Sequence, residues 1–470
     1  MRAIRSLLFG MLAALACLLQ VTEAQAVPSF ARQTGMDCTT CHMSWLELTN
    51  VGRRFKLGGY QLTKAIAPDA ERPLVTTRFD ENPPILPLAY MLQFSSTRIG
   101  NPTAGNTDPV ADFGNGTKRL DNTIAMQQFS VFLNGKLADH VGCFCQWTYD
   151  DTVRHSQIDN AEIRIADDYS GDSFKALYGV TINNSPGMSD IYNTTPVWGW
   201  PYIGPVVSAA PTASTVLSSA GLGQQSVGVT AYALLNQTFY LELGGYKTAD
   251  GALSVFRAGV PKADRVEIEG TAPYYRLALQ QDWDKGHQSA EIGVFGLTSK
   301  IYADATDHSL GTDKYRDTGV DAQYQYITDA HRFSAMYRYI REHQDYSANA
   351  LGAANSSNTV NEQTGKISYY YNKWYGVSLG FQKYTGSGDS NLYAAGDGVG
   401  GGSGRPDSTA RILELNYLFS FTGEETFRRN RIVVQYTDWS KFNGGTTNYN
   451  GSGRNAKDNN MLSILWWSLY

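Results

Sequence analysis

From about residue 86 to Tyr470 the chain repeats one pattern. Segments of roughly ten residues alternate apolar and polar side chains, and the connections between them run short, then long, then short. Phe239-Tyr240-Leu241-Glu242-Leu243-Gly244 shows the alternation, as do Phe333 to Tyr339 and Arg411 to Phe419. A period of two is a strand with unlike faces. Charges fall on one set, at Glu162, Arg164, Glu242, Arg276, Arg338 and Glu414, while the other set is Leu, Ile, Val, Phe, Tyr and Trp. A soluble sandwich would alternate in the same way. The connections separate the two cases. Short ones lie near Leu137-Ala138-Asp139, Ser170-Gly171-Asp172, Asn236-Gln237, Asp284-Lys285-Gly286, Thr328-Asp329-Ala330, Asn372-Lys373 and Thr422-Gly423-Glu424. Between them lie Gly-rich polar stretches at about 99–119, 183–220, 248–272, 300–314, 344–361, 386–408 and 441–458, with only 151–157 brief. Short turns at one rim and long loops at the other mark an outer-membrane barrel. The segments number about sixteen, an even count that puts both ends on the periplasmic, short-turn side.

Composition agrees. Charged residues are 18%, against about 25% in ordinary globular chains. Gly is 46 of 470, Tyr 29 and Trp 9. Mean hydropathy is -0.32, which excludes a bundle of ~20-residue apolar helices. A net charge of -5 makes nucleic acid a poor partner. Trp147, Trp283, Trp374, Tyr375 and Trp439 near segment ends suit interfacial girdles. The last segment, Met461 to Tyr470, ends on an aromatic residue after alternating apolar positions, like a terminal barrel-assembly strand.

One apolar run stands at the N-terminus. Arg2 and Arg5 precede Leu7 to Leu19, and Ala24-Gln25-Ala26 is a small-x-small cleavage site. This reads as a signal peptide over 1–26, so the rest is expected outside the cytoplasm.

Cys38-Thr39-Thr40-Cys41-His42 follows directly. Two thiols separated by two residues can add to the two vinyl groups of one haem, and the adjacent His then ligates the iron. A zinc site would need a second ligand pair nearby. The next cysteines, Cys143 and Cys145, are about a hundred residues on. They share the apolar face of one strand with Val141, Trp147 and Tyr149, as small lipid-facing residues or as a metal or redox pair.

Residues 27–84 are too few for a self-sufficient core; a haem would supply apolar mass. Trp45, Leu48 and Phe55 recur at helical spacing, so one short helix could lay them against the ring. Arg53, Arg54 and Lys56 could pair with haem propionates or form a solvated surface. No sixth ligand is evident: Met36 and Met43 crowd the motif too closely to reach its far face. An open, Lys-ligated or barrel-ligated iron is left. The Pro-rich stretch from Asn183 to Ala220 has no strand pattern, and could fold inward to narrow the pore or lie exposed.

Phe30-Ala31-Arg32-Gln33-Thr34-Gly35, the C-x-x-C-H motif, Leu48-Thr49, Gly52-Arg53, Phe55-Lys56-Leu57 and Gly59-Tyr60 together resemble the fused monohaem cytochrome–porins of iron-oxidising bacteria, the outer-membrane iron oxidases. Leu46 stands where that family has a proline. The resemblance implies a small c-type haem domain, α-helical or irregular, over 27–84 and a mainly β porin-like barrel over 85–470. It implies one covalent haem c on Cys38 and Cys41, with His42 on the iron. It further implies Fe(II):cytochrome c oxidoreductase activity, with extracellular Fe(II) as donor and a periplasmic c-type cytochrome as acceptor. The alternatives are a conduit for another donor and a solute porin with an accessory cytochrome domain. Glu and Arg mix on the inward face, so no single-sign pore selectivity is apparent.

Overall fold

The computed structural model describes residues 28–61, 87–101, 124–150, 155–204, 210–218, 222–257, 265–393, 404–421 and 429–470. The expected signal peptide, residues 62–84 of the expected haem domain and the expected turn at Thr422 to Glu424 lie outside the described residues.

Three short helices come first: α1 (Pro28–Thr34), α2 (Cys38–Cys41) and α3 (Asn50–Leu57). The strands of the first half are β1 (Leu88–Ile99), β2 (Ala125–Ala138), β3 (Val141–Asp150), β4 (His155–Ser170), β5 (Lys175–Asn183), β6 (Ser226–Leu235), β7 (Phe239–Thr248) and β8 (Ala272–Trp283). Those of the second half are β9 (Gln288–Tyr302), β10 (Thr312–Ile327), β11 (His331–Asp345), β12 (Ser357–Tyr371), β13 (Tyr375–Gly386), β14 (Ser408–Phe419), β15 (Asn430–Lys441) and β16 (Met461–Leu469). Each pairs antiparallel with its neighbour, and β16 returns to β1 from Met91↔Leu469 to Ile99↔Met461. The closed ring leaves no strand edge, so backbone polar groups are satisfied without water.

Tight turns set one rim. Asn236 and Gln237 have φ of 48 and 59°, and Asn372 and Lys373 have 48 and 66°. Two consecutive positive φ values make the mirror-image turn that matches strand twist. The other rim is taller than the alternation indicates. Parts of 300–314 and 344–361 belong to β9–β12, where polar residues continue the ladder, as in Asp345↔Ser357.

The two faces differ as expected. On β14, Leu413 and Leu415 are exposed while Glu414 and Asn416 are buried. Glu162, Arg164, Glu242, Arg276, Arg338 and Glu414 all point inward and are buried. An apolar exterior this extensive matches hydrocarbon, not water. This is an outer-membrane barrel.

The lumen is occupied. Residues 28–61, too few for their own core, use the inner wall instead. Leu57 is fully buried in a cluster with Leu177, Tyr192, Tyr232, Leu234 and Tyr240. Gly142 of β3 makes room, since a Cβ there would stand 1.9 Å from the Gly59 carbonyl oxygen. The described parts of the β5–β6 connection, 184–204, 210–218 and 222–225, also fold inward, as one of its two alternatives had it. The Asp190 carboxylate accepts N–H bonds from Tyr192 (2.9 Å) and Thr195 (3.0 Å), and lies 3.7 Å from Arg276. Further along, Val216 N–H donates to Glu342 at 2.6 Å and Leu217 N–H to Asp317 at 3.1 Å.

Candidate functional site

The C-x-x-C-H motif is built from short local bonds. Asp37 caps α2 by accepting from Thr39 N–H at 3.0 Å, and His42 N–H donates to Cys38 O at 2.8 Å. Thr49 then joins α2 to α3. Its N–H donates to Cys41 O at 2.9 Å, its hydroxyl donates to Thr40 O at 2.6 Å, and the same hydroxyl oxygen caps α3 at Gly52 N–H. α3 approaches α2 at a glycine because a Cβ on Gly52 would lie 2.1 Å from Cys41 O. From the wall, Arg332 donates to His42 O at 2.8 Å.

Cys41 and His42 line a cavity of ≈ 510 Å³ enclosed by the N-terminal segment, β1–β4, β16 and the inward loop. Phe30, Leu48, Phe55, Phe132 and Phe144 make its walls apolar near the motif. Burial pushes the Cys41 thiol up to about 12, helped by Asp37, and pulls the His42 imidazole down to about 4. The neutral imidazole is the metal-ligating form. His42 Nδ1 is buried with no hydrogen-bond partner. Apolar walls beside Cys41 and His42 and a neutral imidazole fit a haem held on this motif.

The remaining expected contacts divide. Phe55 and Lys56 line the cavity. Lys56 Nζ donates to the carbonyls of Met188 (2.7 Å) and Asp190 (2.9 Å) and sits 4.8 Å from the Trp198 ring centroid. Burial lowers its pKa to about 8, against the pull of Glu162. Arg53 and Arg54 turn to the wall: Arg53 donates to Gln323 and Gln325, and Arg54 pairs with Asp282 at 2.6 Å. Trp45 packs edge-on against Trp467 at 5.4 Å. Trp45, Leu48 and Phe55 therefore do not share a helix. Leu46 has φ 75°, His42 bridges Leu48, and Thr49 starts α3 only afterwards.

Two further residues reach this site. Met36 lines the cavity, and so does Met91 of β1, which the sequence did not single out. Met43 is buried elsewhere, against Tyr370 and Leu418. Met91 reaches the cavity from β1 of the wall, so no signal local to the motif marks it. Cys143 and Cys145 alternate along β3 with Phe144 and Gln146, which face the cavity; they share the row of exposed Trp147, but Cys143 is itself buried and Cys145 half-buried. The Cys143 thiol donates to Leu133 O at 3.3 Å.

No family model matches this chain, and no curated protein does. Among solved structures it is similar to the outer-membrane channel DcaP of Acinetobacter baumannii, at 12% identity over 82% of this chain and 96% of that one, with a TM-score of 0.42. An anion-selective porin of Comamonas acidovorans gives 12% identity over 82% and 98%, with a TM-score of 0.43. OmpT of Vibrio cholerae gives 9% over 82% and 96%, with 0.41.

Proposed function

We propose that this outer-membrane barrel carries a covalent c-type haem in its lumen and passes single electrons inward across the membrane. The observation that supports it is Cys41 and His42 on the wall of an apolar cavity inside the barrel. Such a haem, when bound, supplies a one-electron redox centre. Cys38 and Cys41 would tether it and His42 would ligate the iron. Met36 and Met91 would offer thioethers to the bound haem, and Lys56 would offer it a positive charge. Phe30, Phe55, Phe132 and Phe144 exclude water, which helps set the potential. The donor is Fe(II), which leaves as Fe(III) after giving up one electron; a periplasmic c-type cytochrome accepts that electron. Ferric product precipitates near neutral pH, so its formation belongs at the outer surface.

The test has two steps. Haem should stay with the polypeptide on a denaturing gel and be lost or depleted in Cys38→Ala and Cys41→Ala. The oxidised protein should then be reduced by Fe(II) in stopped flow. A wild type without covalent haem removes the reading, and a haem that excess Fe(II) leaves oxidised changes the donor.

The second reading, a solute porin, is favoured by the closed barrel architecture itself. The segment 28–61 and the inward loop lie in the path such a solute would take. Planar-bilayer conductance separates the two: a conduit passes little current, and free passage of small ions selects the porin.

A further inference from the structure

The outside of the barrel is not uniform at its long-loop end. Outward cations crowd one sector there: Lys300 of β9, Lys314 and Arg316 of β10, Arg341 of β11, Lys383 of β13 and Arg411 of β14. Among the described residues, the outward rows of β2 to β6 carry no Lys or Arg at this end. Lys300 pairs with Glu269 at 3.0 Å and Arg316 with Asp345 at 2.8 Å. Lys314, Arg341, Lys383 and Arg411 make no ion pair or hydrogen bond among the described residues.

Register brings two of these four together. Lys383 faces Thr409 of β14 and Arg411 faces Phe381 of β13, so the two cations are diagonal neighbours on the outward face, about 7–8 Å apart at the backbone. Both are exposed. Across β12, Lys383 faces the neutral Gln363. Asp438 stands opposite Arg411 on β15, but its carboxylate accepts from the Asn460 amide at 2.7 Å. Below the pair, Val377, Leu379, Leu413 and Leu415 are exposed. At the short-turn rim of the same two strands Tyr375 stacks on Tyr417, with ring centroids 5.2 Å apart. Tyr375 to Lys383 is eight residues, about 27 Å of strand and about 20 Å of height at the usual tilt. The cation pair thus stands at the outer edge of the apolar band, where acyl chains of the outer leaflet give way to headgroups.

Two exposed like charges without a counter-charge, set directly above an apolar wall, complement an amphiphile with an anionic head. A guanidinium fork beside an ammonium suits phosphate. Arg341 lies two strands from Lys383, on the far side of β12, about 10 Å across the sheet. That spacing suits a second phosphate carried on the far end of a disaccharide. We propose that Lys383 and Arg411 bind one phosphate of a lipid A-type phosphoglycolipid of the outer leaflet, with its chains on Leu379 and Leu413 and its second phosphate toward Arg341. This binding is independent of what the lumen carries.

The probe is bisphosphorylated lipid A, added to the full-length protein in non-ionic detergent and counted on the intact barrel by native mass spectrometry. One lipid should stay bound, and Lys383→Gln with Arg411→Gln should weaken it by about tenfold or more. Arg341→Gln should weaken it less. Arg98→Gln, which removes an exposed outward cation from the outer end of β1, should leave binding unchanged. Heat-modifiable gel mobility establishes folding, and Lys383→Gln alone replaces the double variant if that one fails to fold. A wild type that retains no lipid A, or a folded double variant that retains it equally well, overturns the site. Equal retention of dephosphorylated lipid A or of phosphatidylglycerol overturns the phosphoglycolipid as occupant, as does full displacement by millimolar inorganic phosphate.

Discussion

The wall of the barrel and the segment it encloses both bury charge, and they find partners differently. In the wall, Glu414 of β14 meets Arg431 of adjacent β15 at 3.0 Å, reaching diagonally past its register partner Gln435, so the neighbouring strand supplies the counter-charge. In the enclosed segment, Glu47 meets Lys366 of β12 at 2.6 Å, across 319 residues. Lys56 reaches Glu162 at 3.9 Å, and Tyr60 donates to the same carboxylate. The wall repeats one local rule sixteen times. The segment has no core of its own and is folded by what surrounds it. The wall can therefore persist without the segment, whereas the segment cannot persist without the wall.

The sharpest way to break that asymmetry is Glu47→Gln. It leaves the Lys366 ammonium buried without a counter-charge, a loss of about 3–5 kcal/mol for pairs of this kind. Residues 28–61 should become open to added protease and bilayer conductance should rise, while the heat-modifiable mobility of the barrel stays the same. Equal loss of wall and segment would erase the distinction. Acid should do the same more gently. Burial raises the Glu47 carboxyl, but Lys366 and Gln325 outweigh it and hold the group below the usual carboxylate range. A depressed pKa contributes stability above the unfolded value, about 4.3, and loses it as pH falls through the folded value. Conductance should thus climb only on acidification below about pH 4.

A smaller effect is expected where the wall serves the enclosed site. If Met91 is the sixth ligand, Met91→Leu should lower the midpoint potential and alter the haem spectrum, because methionine ligation raises potential. Met36→Leu is the matching control on the segment's side. Whichever variant leaves both readouts unmoved is not the ligand. The smallest effect belongs to the outward row of β3. Cys143→Ser and Cys145→Ser should leave haem content and Fe(II)-dependent reduction little changed, and a large loss of either would bring these thiols into the site.

The wall was legible because its rule is periodic. Alternation from about residue 86, with short turns at Asn236-Gln237 and Asn372-Lys373, carried strand number, closure and the inward placement of Glu162, Arg276 and Glu414. The motif at Cys38, Cys41 and His42 stands out in the sequence because the haem attachment proposed for it would fix its spacing. What surrounds the motif was not legible. Arg53 looks like a haem-facing cation until Gln323 and Gln325 of β10 claim it. Met91, Phe132 and Trp467 come to line one cavity with His42 only because the wall encloses residues 28–61. Trp45 has helical spacing to Phe55, but the backbone turns at Leu46 before any helix begins.

The seam between β1 and β16 bears on the order of events in assembly. The ring cannot shut until its last strand has been made, whereas the segment that fills it precedes its first strand in the chain. On the haem reading proposed above, Cys38 and Cys41 would be open to thioether formation before the ring shuts around His42. Closing the seam would then package a finished cofactor site, so that maturation of the site and biogenesis of the barrel would become consecutive steps of one process.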